Sequence, residues 1–370
     1  MTAPSEKLTF NISDRAKLRS TLLQATDEPV LIHLNADTTW LVSLPYPQTA
    51  ATTKPAAAAG RSSRFNILLD PWLQGPQSDV ASWFSTQWHL VAPSVQTIDE
   101  LNLLLIGAEQ GEDVAEQKDT TGKDDGKPRS LIDVVAISHE FTDHFHETTL
   151  KELPRDTPVF ATEKAADLIR SWKHFDSVTT TPGFSSDTGD WQKTLSVSPL
   201  PDWVGIGRVI TAGNALYYHS AVMIAFKTVA PASDKNTANT SDDPSGNRSH
   251  TAAVIYSPHG IKATDLASVK SAGIETRVLL HGLHDVGIWL TKQLNLGALN
   301  GLEAVWASGA KYWIATHDEE KKGGGFIAPL LRRTKYTVAD AVRSETKNMG
   351  DEAPDYRFVE LGSGDALVLA

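Results

Sequence analysis

Ser138-His139-Glu140-Phe141-Thr142-Asp143-His144-Phe145-His146 follows directly on the β-like run Ile132–Ile137. Side chains at strand ends converge on clefts, and this stretch places three imidazoles and two carboxylates at one such end. Further histidines recur in the same position. His259 follows the strand-like Ala252–Ser257, His281 and His284 follow Val278–Leu280, and His317 follows Tyr312–Ala315. His219 sits beside a strand-like run with Tyr217 and Tyr218. A metal needs at least three ligands from separate segments, because one tight turn cannot surround an ion. Imidazole and carboxylate donors select zinc, iron or manganese over calcium or magnesium. A strand-end histidine serves equally well as a capping or hydrogen-bonding group, so position alone leaves both readings open.

The chain has 370 residues, 41% hydrophobic and 21% charged, enough for a sizeable core in one large domain or two small ones. Asp and Glu number 45 against 34 Lys and Arg, a net charge of -11. That balance argues against generic affinity for nucleic acid or an anionic membrane, both of which rely on excess positive charge. There is no cysteine, which excludes disulfides, thiolate metal sites and thiol nucleophiles. Any metal must therefore be held by His, Asp or Glu. Met1–Phe10 lacks the basic and apolar regions of a signal peptide. No run approaches the ~20 apolar residues of a spanning helix, so no stable membrane insertion is expected. The expectation is a soluble, cytoplasmic protein.

Two stretches, Gly107–Lys127 and Pro231–Ser249, are rich in Gly, Ser, Thr, Asp and Lys and poor in large apolar residues. They read as solvated insertions, as does the Ala/Thr/Pro-rich Gln48–Gly60. Between them strands are expected at Val30–Asn35, Thr39–Leu44, Phe65–Leu69, Val159–Ala161, Leu195–Ser198 and Ala221–Lys227. Helices are expected at Thr148–Leu153, from Thr162 to about Trp172, and from Ala298 to Gly309. The mixture suggests a layered α/β or α+β fold.

The order of segments resembles the metallo-β-lactamase-fold hydrolases. The nearer branch is the one that includes ascorbate-6-phosphate lactonases and N-acyl-phosphatidylethanolamine phospholipase D. The matching segments are Ile67-Leu68-Leu69-Asp70-Pro71-Trp72, His139-Glu140-Phe141-Thr142-Asp143-His144, Leu153-Pro154-Arg155-Asp156-Thr157-Pro158-Val159, and Gly309-Ala310-Lys311 ahead of His317. They span about Leu31 to Arg333. The resemblance implies a four-layer αββα sandwich over 28–345, with insertions near 48–60, 107–127 and 231–249. Residues 1–27 are expected as an N-terminal extension, and 346–370 as a C-terminal segment packing on the same domain.

This sequence also departs from the family pattern. Phe141 stands where the motif has its second His. Asp202, in Ser198-Pro199-Leu200-Pro201-Asp202-Trp203, stands where another His is expected. Tyr256-Ser257-Pro258-His259-Gly260 offers His259 where a bridging carboxylate is usual. One of the family's two metal sites would keep only His139, with Asp202 as a replacement. The other keeps Asp143, His144 and His317, with His259 to complete it. The resemblance thus implies one divalent ion, zinc first and iron or manganese as alternatives, held among His139, Asp143, His144, Asp202, His259 and His317. Such an ion lowers the pKa of bound water towards ~7. The expected activity is hydrolysis of an ester, lactone, amide or phosphoester in a small-molecule substrate. Asp143 would bind the metal and orient the water, and His139 or His284 would act as general acid or base. The alternative is a catalytically degenerate protein of this fold that binds a small molecule or a protein partner. Iron would open a third, oxidative reading.

Other features carry two readings each. His281-Gly282-Leu283-His284-Asp285 either lines a pocket, with Asp285 orienting His284, or is a loop with local hydrogen bonds. Trp72, Trp203 and Trp289 either shape an apolar pocket or pack the core. Lys321-Lys322-Gly323-Gly324-Gly325 reads as a solvated loop or a flexible basic lid, and Arg332-Arg333 as a helix surface. Oligomeric state is left open.

Overall fold

The computed structural model describes residues 9–47, 63–79, 81–110, 130–185, 187–210, 219–229, 241–242, 248–288, 292–345 and 355–370. The chain opens with β1 (Thr9–Asn11), α1 (Arg15–Gln24), β2 (Val30–His33), β3 (Trp40–Pro45), β4 (Arg64–Leu69) and β5 (Thr86–Trp88). Next come α2 (Ile98–Gln110), β6 (Val134–Ile137), α3 (Glu147–Leu150), β7 (Val159–Ala161), α4 (Glu163–Ser171) and β8 (Val178–Thr180). The middle holds β9 (Gly183–Phe184), α5 (Trp191–Leu195), β10 (Val204–Ile210), β11 (Ser220–Val229), β12 (Ser241–Asp242), β13 (Arg248–Ser257) and α6 (Ala263–Ser271). It continues through β14 (Glu275–His281), β15 (Asp285–Ile288), β16 (Lys292–Asn295), α7 (Ala298–Ser308) and β17 (Tyr312–Ile314). The chain closes with β18 (Lys322–Gly324), β19 (Leu331–Thr334), α8 (Val338–Glu345), β20 (Arg357–Val359) and β21 (Asp365–Val368).

These elements form two compact units. The first is the described chain up to Thr180 with Glu319–Ala328 and Leu361–Ala370; the second is Thr181–Asp318 with Pro329–Glu360. The first unit is built on a mixed sheet in the order β1-β21-β2-β3-β4-β6-β7-β8, and β18 pairs with β5 apart from it. The apolar run of β4 is buried at every position, so both of its faces are shielded from water. Alternate residues of the sheet, Ile32, Leu41, Leu68, Val135 and Val159, share one core with Leu18 and Leu22 of α1, Leu101 and Leu105 of α2 and Ile169 of α4.

The second unit repeats the arrangement with the sheet β20-β17-β14-β13-β11-β10-β9. Met223, Ile255, Leu279 and Trp313 share a core with Leu266 and Val269 of α6 and Leu302 and Val305 of α7. A second, three-stranded sheet runs β16-β15-β19. The chain is therefore α/β, with a helix-backed mixed sheet in each unit.

Several elements differ from the sequence expectation. Leu195–Ser198 is not a strand; Leu195 ends helix α5. Asp190 caps that helix by accepting the Gln192 N–H at 3.1 Å. Gly205 and Gly207 on β10 make room for it, since a Cβ at either would lie within 2.9 Å of Leu195. Gly107–Gln110 belongs to the last turn of α2, whose Leu101, Leu104, Leu105 and Ala108 are buried, rather than to an insertion. Arg332 and Arg333 lie in β19, opposite Gly287 and Val286, rather than on a helix. The stretch expected as an N-terminal extension supplies β1 and α1, and β1 pairs with β21. The insertion near 48–60, residues 111–127, most of 231–249, residues 346–354, Tyr217, Tyr218 and Trp289 lie outside the described residues. Among the described residues no helix is long and apolar enough to cross a membrane.

Two stability predictions follow from these cores. Gly301 of α7 faces Trp313, and a Cβ there would stand 2.5 Å from the indole and 3.0 Å from His281 Nδ1. Gly301→Ala gains about 1 kcal/mol of helix propensity but overpacks a rigid buried ring, a cost of roughly 1–3 kcal/mol. Urea unfolding should give a lower midpoint; a higher one would show that the indole has room to move. In the first unit His33 stacks on Trp40 at 3.7 Å, and its Nδ1–H donates to the Leu361 carbonyl at 2.7 Å. Burial lowers its pKa from 6.5 to about 4, against the raising effect of the Leu361 and Asp37 carbonyls. The unfolded chain therefore takes up this proton near pH 6.5 and the folded chain only near pH 4. Stability from this group is complete above pH 6.5, declines through that window by on the order of 3 kcal/mol, and levels off below it. Unfolding midpoints between pH 7 and 4 should fall less steeply in His33→Gln than in the wild type.

Candidate functional site

In the first unit the strand-end cluster is organised by Asp70, the last residue before Pro71-Trp72. Its backbone has φ 41°, in the left-handed region that non-glycine residues rarely adopt. The carboxylate is fully buried and accepts the Ser138 N–H at 2.7 Å, the Ser138 hydroxyl, and His144 Nδ1–H at 2.6 Å. Thr39 holds the Asp70 carbonyl at 2.9 Å. The end of β4 is thus tied to the turn after β6, and the His144 ring is fixed in one orientation.

With Nδ1 bearing the proton, the lone pair of neutral His144 lies on Nε2, the arrangement of a carboxylate-oriented metal ligand. That Nε2 is 3.6 Å from Asp143 Oδ1. Two ligands of one tetrahedral ion, each about 2.0–2.2 Å from it, stand roughly 3.4 Å apart, so this donor pair fits a divalent metal. Burial lowers the His144 pKa, but Asp143 and Asp70 outweigh it and the net shift is upward. The field that favours a proton on this ring favours a metal cation equally.

The neighbouring histidines are set differently. His139 is buried, and its Nδ1 accepts the Phe141 N–H at 3.2 Å. Its neutral form therefore carries the proton on Nε2, as a donor rather than a metal ligand. Phe141, in the place of the expected second histidine, lies against it with ring centroids 4.5 Å apart. His146 is occupied structurally: Nδ1 accepts from the Thr149 hydroxyl at 3.0 Å and Nε2–H donates to the Pro76 carbonyl at 3.3 Å. Burial lowers its pKa.

Asp143 has a second partner. Lys321 Nζ is 2.8 Å from Asp143 Oδ2 and 2.7 Å from Asp37 Oδ2, and 5.3 Å from the centroid of the Trp72 ring. Burial alone would lower the ammonium's pKa, but the two carboxylates outweigh it and push it up. Lys321 is thus neither part of a solvated loop nor of a flexible lid, as its composition suggested, because its side chain is buried between two carboxylates. The next three residues, Lys322–Gly324, form β18 against Thr86–Trp88, and only Lys322 of the two lysines is exposed. Nearby, Asp79 Oδ1 accepts the Thr142 N–H at 2.9 Å; burial and Asp143 raise its pKa.

The second unit holds the other histidines. His259 is buried in the turn after β13, and its Nδ1–H donates to Asn295 Oδ1 at 2.8 Å, which again puts the lone pair on Nε2. Gly260 follows at φ 83°; a Cβ there would meet Leu296 at 2.6 Å. His317, just past β17, has φ 59°, and its ring is edge-on to His259 with centroids 5.0 Å apart. Both imidazoles offer a ligand nitrogen within 4.8 Å of the other. His219 Nδ1–H donates to the His259 carbonyl at 2.9 Å, a structural role.

Two expected roles change in this unit. Asp202 is exposed in the turn leading to β10, and its carbonyl accepts from the Gln192 side chain at 2.7 Å. Being solvated, its carboxylate lacks the buried setting that the other ligand candidates share. Asp285 does not orient His284; its Oδ1 accepts the Gly297 N–H at 2.6 Å. The carboxylate beside His284 is Asp318, which accepts the Leu283 and His284 N–H groups at 2.7 and 3.0 Å. Burial, with Arg333 and Lys335, lowers the His284 pKa. Trp72 and Trp203 are buried core residues.

Sequence reasoning missed Asp37, Asp70, Asn295, Asp318 and Lys321 as site residues. Asp70 closes the apolar run Ile67–Leu69, and an acid at the end of such a strand was a usable signal. Asp37 sits in a polar turn between two strands, which reads like any solvated hairpin.

No family model matches the chain, and no curated protein does. Among solved structures it is similar to the isothiocyanate hydrolase from Delia radicum gut bacteria, at 14% identity and TM-score 0.47, covering 91% of this chain and 98% of that one. It is also similar to a possible metal-dependent hydrolase from Veillonella parvula DSM 2008, at 13% identity and TM-score 0.44, covering 92% and 99%. A third is the metallo-β-lactamase fold protein YhfI from Bacillus subtilis, at 12% identity and TM-score 0.42, covering 92% and 100%.

Proposed function

We propose that this protein is a metal-dependent hydrolase acting on an ester, lactone, amide or phosphoester bond of a small molecule. The observation that carries the reading is the Asp70–His144–Asp143 relay, a buried carboxylate orienting an imidazole whose second nitrogen lies at ligand spacing from another carboxylate. Asp143 and His144 would hold the ion in the first unit, and His259 and His317 offer a separate pair of imidazoles in the second. A divalent ion supplies a water of lowered pKa and polarises a carbonyl or phosphoryl oxygen. Zinc suits this donor set, with iron or manganese as alternatives. His139, with its proton on Nε2, would donate to the leaving oxygen. Asp70 positions His144 and does not touch substrate.

A second reading, a catalytically degenerate protein that binds a small molecule or protein partner, draws on the Phe141 ring packed on His139 and on the exposed Asp202. Metal retention separates the two. Elemental analysis of the purified protein should give about one zinc per chain, lost in Asp143→Ala and His144→Ala. Chelation should lower hydrolysis in an aryl-ester and lactone panel by about 10²-fold or more. Asp70→Asn should retain the fold and weaken metal affinity by about 10–100-fold. A folded wild-type protein without metal would sink the hydrolase reading and favour the second.

A further inference from the structure

Asp37, Asp143 and Lys321 form a buried ion triad in the first unit, with side-chain exposures of 0%, 9% and 8%. Two carboxylates that offer oxygens within 4.8 Å of each other repel one another, and burying them without a counter-charge is costly. Either a divalent cation or a fixed side-chain cation can supply that charge. Here the ammonium lies against both carboxylates at hydrogen-bond distance, over the face of Trp72.

The chain holds Lys321 there from both sides. Glu319, two residues earlier, accepts the Leu90 and Val91 N–H groups at 2.8 and 2.9 Å and binds His89 Nδ1 at 2.7 Å. Lys322, the next residue, is in register with Trp88. The lysine backbone is therefore fixed and its side chain need not search for its partners. Asp37 is fixed in turn, because its N–H donates to Asn35 Oδ1 at 2.9 Å. An ammonium at 2.7–2.8 Å from these oxygens and a metal ion at about 2.0–2.2 Å cannot share the space between them.

We propose that the Lys321 ammonium is a permanent cation built into the Asp37/Asp143 carboxylate pair, occupying a seat that a divalent ion would take in its absence. Resting on the metal reading above, it sets the capacity of the protein at one ion per chain. Asp143 serves both cations, presenting Oδ2 to the ammonium and Oδ1 on the side of His144 Nε2.

The test is metal stoichiometry of the full chain, equilibrated with excess zinc, gel-filtered and analysed by mass spectrometry. Wild type should hold one equivalent and Lys321→Met two, while Lys321→Arg should stay at one. If Lys321→Met does not fold, Lys321→Gln, which is polar but uncharged and shorter, should show the same second equivalent. Two equivalents in the wild type would overturn this inference and leave the hydrolase reading standing. None in the wild type and one in Lys321→Met would do the reverse. Equal counts in wild type and a folded Lys321→Met or Lys321→Gln variant, with circular dichroism matched, would also overturn it.

Discussion

The first unit's strand-end cluster depends on one buried carboxylate, that of Asp70. It receives three hydrogen bonds from two residues of the turn after β6, while Thr39 fixes its carbonyl. Hydrogen bonds to a charged group are worth about 1.5–3 kcal/mol each, and a buried carboxylate stripped of its partners costs several more. That network can hold Asp70 at φ 41°, a conformation costing of order 1–3 kcal/mol for a residue with a side chain. The strain is local, and its result is an imidazole with one permitted ring orientation and one permitted tautomer.

The second unit solves the same orientation problem with a neutral group. Asn295 Oδ1 accepts from His259 where Asp70 accepts from His144. Both partners select the Nε2 lone pair, and the charged carboxylate raises the basicity of the ring it holds more than a neutral amide can. His317 shares with Asp70 the left-handed backbone, so among the described residues two of the three non-glycine residues with positive φ are functional candidates. Strain concentrates where a side chain must be aimed rather than merely packed.

Much of the sheet framework was legible because its strands are short apolar runs buried on both faces. Val134–Ile137, Val159–Ala161 and Tyr312–Ile314 fall within or beside the runs read as strands. Periodicity failed where tertiary packing overrode it: Leu195 reads as strand, but β10 glycines admit a helix there. For the site, the sequence pointed to the histidines and not to their partners. An Asn or Asp that orients an imidazole is far from it in sequence, 36 residues for Asn295 and 74 for Asp70. Tautomers are equally hidden, since the Phe141 N–H that turns His139 into a donor depends on the local turn. Lys321 was misread because a Lys-Lys-Gly-Gly-Gly run resembles a solvated loop in composition, whereas β18 pairing and the Glu319 clamp bury its first lysine.

The charge of this cluster favours a bound cation. Asp37, Asp70 and Asp143 contribute three carboxylates, while Asp79 is pushed by burial and by Asp143 towards its neutral form. The Lys321 ammonium offsets one of the three. With His144 neutral, as a ligand must be, the carboxylate charge that Lys321 leaves uncompensated favours a divalent ion beside Asp143. Without an ion the upward shift of His144 supplies part of the same charge as a proton. A proton and a metal would be alternatives at this one nitrogen, and acid would displace a metal held there by protonating the ring that Asp143 and Asp70 make more basic.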